Sequence, residues 1–247
     1  MSDGIIIAGG GLAAQRCAET LRRKGYQGAI RILCAEAHRP YDRPPLSKDM
    51  LVGECSLGFR APAWYEEHAV DLLLGTAAVS LSAADRRVGL SGGGTLRYDQ
   101  LLIATGAATR TLPVLDGFEN VSTLRTVEDA ERLRDVLAGQ ARLAIVGAGF
   151  VGQEVAASAR ALGAAVTMIE AAPAPLAGVL GEELGAWFAH LHRSEGVEMI
   201  TGATVTRVQA RQGRVSALEL STGAVVPADH VLVAAGVAPA TAWLAGS

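Results

Sequence analysis

Residues 4–25 read GIIIAGGGLAAQRCAETLRRKG, and the fold turns on how they are read. Ile5–Ile7 is a short β-branched run with the composition of a buried parallel strand. Gly9, Gly11 and Ala14 then fit the pattern G-x-G-x-x-A, and Leu12 to Lys24 has the apolar spacing of an amphipathic helix closed by Gly25. A second strand, AIRILCAE, ends at Glu36. Strand, glycine turn, helix and strand form the context that a dinucleotide-binding fingerprint requires. Gly9 permits the tight turn, Gly11 lets the backbone approach a pyrophosphate, and Ala14 allows close helix–strand packing. The helix N-terminus offers amide donors and positive potential to phosphate, and Glu36 is placed to accept from a ribose hydroxyl.

The pattern recurs. Residues 141–173, ARLAIVGAGFVGQEVAASARALGAAVTMIEAAP, give a strand at Leu143–Val146, the glycines Gly147, Gly149 and Gly152, and a helix to Leu162. A strand over Ala165–Ile169 and the acid Glu170 complete the repeat. Two fingerprints are far more specific than one and imply two nucleotide sites in two related domains. A protein that binds two dinucleotides usually joins a flavin to a nicotinamide, because that pair can exchange a hydride.

Between and beyond the repeats, residues 96–113 read as a strand at Gln100–Ala104, a Thr105–Gly106 turn and a crossover marked by Pro113. Residues 227–239 repeat the theme with a strand at Val231–Ala234, then Gly236 and Pro239. These are expected to be two crossings between domains. Residues 77–99 and 204–226 alternate and turn at glycines, as small antiparallel strands do. The expected fold is α/β, with two Rossmann-like, doubly wound, three-layer nucleotide-binding domains. The second is inserted in the first, and each carries a small antiparallel β excursion. The expected limits are residues 1–112 and 232–247 for the first domain and 113–231 for the second.

The bulk composition narrows the function. The 247 residues are 50% hydrophobic and 19% charged, with a net charge of −3, which gives no support to nucleic-acid binding or a membrane surface. No apolar run reaches the ~20 residues of a membrane span. The first strand starts near Gly4, so no signal peptide is expected. Cys17, Cys34 and Cys55 show no paired spacing, which fits a reducing, cytoplasmic setting, and the five histidines show no metal-ligand spacing. Nothing in the sequence sets an oligomeric state.

Residues 39–51, RPYDRPPLSKDML, pack three prolines and five charged residues into a stretch without helical or strand period, which reads as a stiff loop. With this loop in place the chain resembles the NADH-dependent ferredoxin, rubredoxin and putidaredoxin reductases of the pyridine nucleotide-disulfide oxidoreductase superfamily. These are FAD flavoproteins that feed electrons to small iron–sulfur proteins. The resemblance rests on YDRPPLSK, LLIATGA, LRTVEDAERLR and VGAGFVGQEVA in that order.

The resemblance implies FAD on the first fingerprint and NAD on the second, with NADH and a ferredoxin or rubredoxin as partners. It sets Lys48 at the redox edge of the flavin, with Pro44 and Pro45 shaping the wall, and pairs Lys48 with Glu154. It puts Arg43 and Arg125 near FAD and Phe150 over the nicotinamide face of the flavin. Further cofactor contacts fall at Leu12, Ala13, Ala78, Ala104, Thr105 and Gly106, and at Val151 and Gly236. Glu170 is expected to accept from the 2′-hydroxyl of NADH and to repel the 2′-phosphate of NADPH. Ala35, Ala174 and Ala240 depart from the family's usual Asp, Arg and Asn.

With no CxxC or CxxxxC pair, electrons are expected to leave the flavin directly for an external acceptor. Two alternatives stand beside this reading. One is an NADH-gated flavoprotein like apoptosis-inducing factor, acting as a redox-controlled binding module. The other is an inactive fragment, since the family continues with a Gly-Asp motif and a further domain beyond the point where Ser247 falls.

Overall fold

Short apolar runs alternating with amphipathic helices suit a parallel sheet, because its strands are buried on both faces and each crossover needs a helix. The structure is a computed structural model that describes residues 3–53 and 55–247. It divides into two units, one of Met1–Arg43, Ser56–Ala108 and Pro239–Ser247, the other of Pro44–Cys55 and Thr109–Ala238.

The chain opens with β1 (Ile5–Ala8), α1 (Leu12–Arg23) and β2 (Ile30–Leu33). The stretch read as a loop then carries a 3₁₀ turn (Pro44–Ser47) and a short helix, α2 (Asp49–Val52). Paired prolines have φ already fixed near the helical value, and a first helical turn does not need their missing N–H groups. In sequence these residues continue the first unit without a break, yet they group with the second. Next come α3 (Pro62–Glu67) and β3 (Val70–Leu73), then the antiparallel strands β4 (Ala78–Ser82), β5 (Arg87–Leu90) and β6 (Thr95–Arg97), and β7 (Gln100–Ile103).

The parallel sheet of the first unit has the order β3-β2-β1-β7, so the chain reverses its direction of winding between β1 and β7. Ile5–Ala8 pairs in register with Ile30–Leu33 on one side and Gln100–Ile103 on the other. Ile6, Ile7, Ile30 and Ile32 are fully buried, each contributing about 2 kcal/mol of transfer free energy. Trp243, near the C-terminus, packs with Val88 and Tyr98 of this unit.

After β8 (Ala107–Thr109) the second unit holds β9 (Val121–Ser122), α4 (Val127–Ala138), β10 (Leu143–Val146), α5 (Phe150–Ala161) and β11 (Val166–Glu170). It continues through α6 (Ala177–Leu180), α7 (Glu182–Ser194), β12 (Glu198–Thr201), β13 (Val205–Arg211), β14 (Arg214–Leu220), β15 (Val225–Pro227) and β16 (His230–Val233), and then β17 (Val237–Pro239). The main sheet runs β12-β11-β10-β16-β9, and β13-β14-β15 form an antiparallel sheet. The winding reverses between β10 and β16. Each unit is thus Rossmann-like with an antiparallel excursion. In such sheets ligands bind in the crevice outside the carboxyl ends of the strands at that reversal.

Candidate functional site

In the second unit, Gly147 follows β10 with φ +108°, and a Cβ there would lie 2.5 Å from the Ala234 carbonyl oxygen. Only glycine lets the turn press this close to the end of β16. A Cβ on Gly152 would come within 2.3 Å of the Gly147 oxygen, so α5 rests directly on the turn. Gly149 differs, since nothing lies within 4 Å of where its Cβ would be. It is the N-cap of α5, yet no side chain caps that helix and its first turn holds no acid. In α4, by contrast, Asp129 N–H donates to Thr126 Oγ1 at 3.2 Å and Thr126 N–H donates to Asp129 Oδ2 at 3.0 Å. The first amides of α5 are left for something other than the chain's own side chains.

They face a cleft of about 840 Å³ at the carboxyl ends of β10, β11 and β16. Its wall is mostly apolar, with Glu170 the one charged side chain among the described residues that line it. Glu170 accepts from the Ala148 amide at 2.6 Å and the Ala172 amide at 2.8 Å. The Ala148 carbonyl in turn accepts from Gln153 Nε2 at 3.1 Å, and Gln153 Oε1 lies 3.1 Å from His192 Nε2. The glycine loop is therefore held on both sides of Ala148. Ala174 and Leu176 add apolar wall beyond Glu170, while Phe150, Val151 and Gly236 line other parts of the cleft. Phe150 is 55% exposed. The volume, the uncapped helix and the open Gly149 position fit a dinucleotide pyrophosphate lying across the loop.

The first unit repeats the arrangement. Gly9 has φ +123°, and a Cβ there would lie 2.1 Å from the Ala104 oxygen. Gly11 is the N-cap of α1, again with no capping side chain and nothing within 4 Å of its Cβ position. Leu12 and Ala13 are exposed at the helix start, whereas Ala14 is fully buried. These residues fit a second dinucleotide.

The carboxylate, however, sits differently. Gly9 N donates to Leu33 O and Gly147 N to Ile169 O, which makes Cys34 the counterpart of Glu170. Glu36 comes two residues later and is engaged by its own neighbours. Its Oε1 accepts from Arg43 Nη2 at 2.7 Å and its Oε2 from the Tyr41 hydroxyl at 2.5 Å. Thr105 Oγ1 donates to Ala240 O at 2.8 Å, and Ala240 N donates to the Gly106 oxygen at 3.0 Å. Ala78, at the start of β4, is half-buried.

Lys48 and Glu154 meet within the second unit, with Lys48 Nζ 2.7 Å from Glu154 Oε1. Lys48 Nζ also donates to Pro44 O at 3.2 Å, and the Lys48 amide donates to Pro45 O at 3.0 Å. Glu154 lies one helical turn beyond Phe150 on the same face of α5, so the ion pair stands close to the part of the cleft that Phe150 lines. Arg125 sits at the head of α4, its amide donating to Asp129 Oδ2 at 2.9 Å. The structure joins Lys48 to Glu154 and Arg43 to Glu36. Tyr41, Ser47 and Gln153 lie inside the quoted stretches and His192 outside them, but none was singled out as a site residue, because the partner that each polar side chain meets is set by tertiary packing and leaves no mark in sequence.

All three cysteines are free. Burial pushes the Cys17 thiol up, and burial with the nearby Glu36 charge pushes Cys34 up to about 12, so neither rests as a reactive thiolate. Among the described residues no group of three or more His, Cys, Asp or Glu is set to hold a metal, and no helix is long and apolar enough to cross a membrane.

The family model for pyridine nucleotide-disulphide oxidoreductases matches residues 3–247. The biphenyl dioxygenase system ferredoxin–NAD(+) reductase component of Paraburkholderia xenovorans (strain LB400) is 41% identical over 244 residues, covering 97% of this chain and 59% of that protein. The crystal structure of the ferredoxin reductase for the CYP199A2 system of Rhodopseudomonas palustris superposes with a TM-score of 0.92 at 36% identity, covering 98% of this chain and 61% of that one. The covalent putidaredoxin reductase–putidaredoxin complex gives a TM-score of 0.92 at 36% identity, covering 97% of this chain and 60% of that one. The chain thus spans about three-fifths of the length of the curated relatives it matches.

Proposed function

The chain belongs to the pyridine nucleotide-disulphide oxidoreductases, and from that footing we propose that it takes electrons from NADH into FAD and passes them singly to a small iron–sulfur protein of ferredoxin or rubredoxin type that serves an oxygenase. The observation that carries this is the pair of glycine fingerprints. Each ends a central parallel strand and opens a helix whose N-terminus no side chain caps. The names of the similar proteins, reductase components of oxygenase systems, supply the acceptor. FAD, when bound, would accept one hydride, carrying two electrons, and release those electrons one at a time.

The residues of this chain take distinct parts. Gly9, Gly11 and the first amides of α1 receive the FAD pyrophosphate, with Ala104, Thr105 and Gly106 beside it. Gly147, Gly149 and the first amides of α5 receive that of NADH. Glu170 accepts from the adenosine ribose and sets a negative charge against a 2′-phosphate. Phe150, Val151 and Gly236 bound the cleft and exclude water from the nicotinamide. Lys48, held by Glu154, offers a fixed cation to the negative charge that a reduced ring carries. Since the cysteines are free and two of them are held as thiols, electrons go to the partner without a thiol relay. Three free cysteines also suit a reducing cytoplasm.

The test is anaerobic mixing of the FAD-loaded chain with NADH and then an iron–sulfur ferredoxin, followed by absorbance. Oxidation of NADH coupled to ferredoxin reduction, in the ratio of a two-electron donor to a one-electron acceptor, is the expected result. A reduced flavin that persists beside NAD and passes nothing on would replace the enzyme with a redox-gated binding module.

A further inference from the structure

We infer that Ser47 is a positioning residue for the Lys48–Glu154 pair, and that the pair owes its orientation to this buried hydroxyl more than to its own attraction. Ser47 is only 4% exposed. Although it immediately precedes the N-cap of α2, no side chain caps that helix. Its Oγ has two acceptors in reach, Glu154 Oε2 at 2.5 Å and Pro44 O at 3.3 Å. A hydroxyl has one proton, and the nearer, charged oxygen takes it. Its carbonyl accepts from Ser158 Oγ at 2.8 Å, which ties the turn to α5 on the far side.

Glu154 is thus held at both oxygens, Oε1 by Lys48 and Oε2 by Ser47. The side chains of Lys48 and Glu154 are 45% and 32% exposed, and an ion pair that open to water holds its own geometry weakly. Removing the serine hydroxyl leaves Glu154 held at Oε1 alone, by a half-exposed lysine whose other tie is to Pro44 O at 3.2 Å. The inference rests on the proposed function only in what the pair is for.

The test begins on the cofactor-free chain with ¹⁵N-detected NMR of the Lys48 ammonium. Ser47→Ala should speed exchange of its protons with water about tenfold, the loss of one charge-assisted hydrogen bond. Ser47→Cys keeps nearly the same shape with a poor donor and should do the same, whereas Ser47→Thr should restore slow exchange. In a Glu154→Ala background Ser47→Ala should add nothing. With FAD and NADH, Ser47→Ala should lower the limiting rate of flavin reduction by a similar factor and leave KM for NADH nearly unchanged. Exchange that Ser47→Ala leaves unaltered, or effects that add independently to Glu154→Ala, would overturn the inference. If exchange responds as described but NADH reduces no flavin even in the unsubstituted chain, the positioning stands and the proposed function falls.

Discussion

On the proposed assignment, Glu170 carries two duties. Its oxygens accept from the amides of Ala148 and Ala172, which shapes the glycine loop, and each oxygen keeps a lone pair for a ribose hydroxyl. Glu170→Ala should therefore weaken NADH binding and also narrow the preference over NADPH, by about ten- to a hundredfold for one hydrogen bond and one charge repulsion. The ratio of kcat/KM for the two nucleotides measures it, and an unchanged ratio contradicts the assignment. The acid itself was readable from its place after the second strand, but its hold on the loop was not, because backbone partners leave no mark in sequence.

His230 makes a different prediction at this scale. Burial, and secondarily the positive charge of Arg214, lowers its pKa to about 4. Its folded value lies below the unfolded one of about 6.5, so the unfolded chain binds more protons between these limits. Stability from this group is complete above about pH 6.5 and is lost as pH falls toward 4, by about 3 kcal/mol in all. His192, lowered by burial, acts with the same sign. Asp229, whose carboxyl Arg142 holds down to about 2, contributes only to losses below about pH 3.8. Urea midpoints should thus drop between pH 7 and pH 5, and the drop should shrink in His230→Phe. A flat pH profile over that range refutes it.

Among the elements, the contrast between helix starts carries the most information. Thr126 and Asp129 cap α4 reciprocally, while α1 and α5 begin at bare glycines. Thr126→Ala should cost about 1 kcal/mol in unfolding free energy and leave nucleotide affinities where they were. A matching loss of NADH affinity would show that α4 shapes the cleft as well. Elements built from strong local patterns were legible: Leu143–Val146 is the expected strand, and α1 starts at Leu12 as its periodicity says. The antiparallel excursions were legible from alternation and glycine turns. The 3₁₀ turn at Pro44–Ser47 and α2 were not, since four-residue pieces have no period to read. Nor were α3 and β3, because the six-residue helix is too short for a stripe and V-D-L-L at a sheet edge does not alternate cleanly.

For the whole molecule, the duplicated glycine fingerprints made the α/β architecture readable, whereas the grouping of residues 44–55 with the second unit was not. Within that unit Lys48 and Ser47 meet α5 more than a hundred positions later, a tertiary contact that local composition cannot report. The central claim is that each fingerprint receives its own dinucleotide, FAD at Gly11 and NADH at Gly149. It is tested most directly by equilibrium binding of both nucleotides to Gly11→Asp and Gly149→Asp, read beside thermal unfolding. Both positions have open space and extended backbone, with φ −96° at Gly11 and φ −74° at Gly149. Aspartate is a favoured N-cap, so Tm should hold or rise in each variant while its carboxylate repels the pyrophosphate. Gly11→Asp should lose FAD and keep NADH, and Gly149→Asp should lose NADH and keep FAD, each by about tenfold or more. A folded variant that loses both nucleotides or neither, or an exchange of the two losses, would contradict the claim.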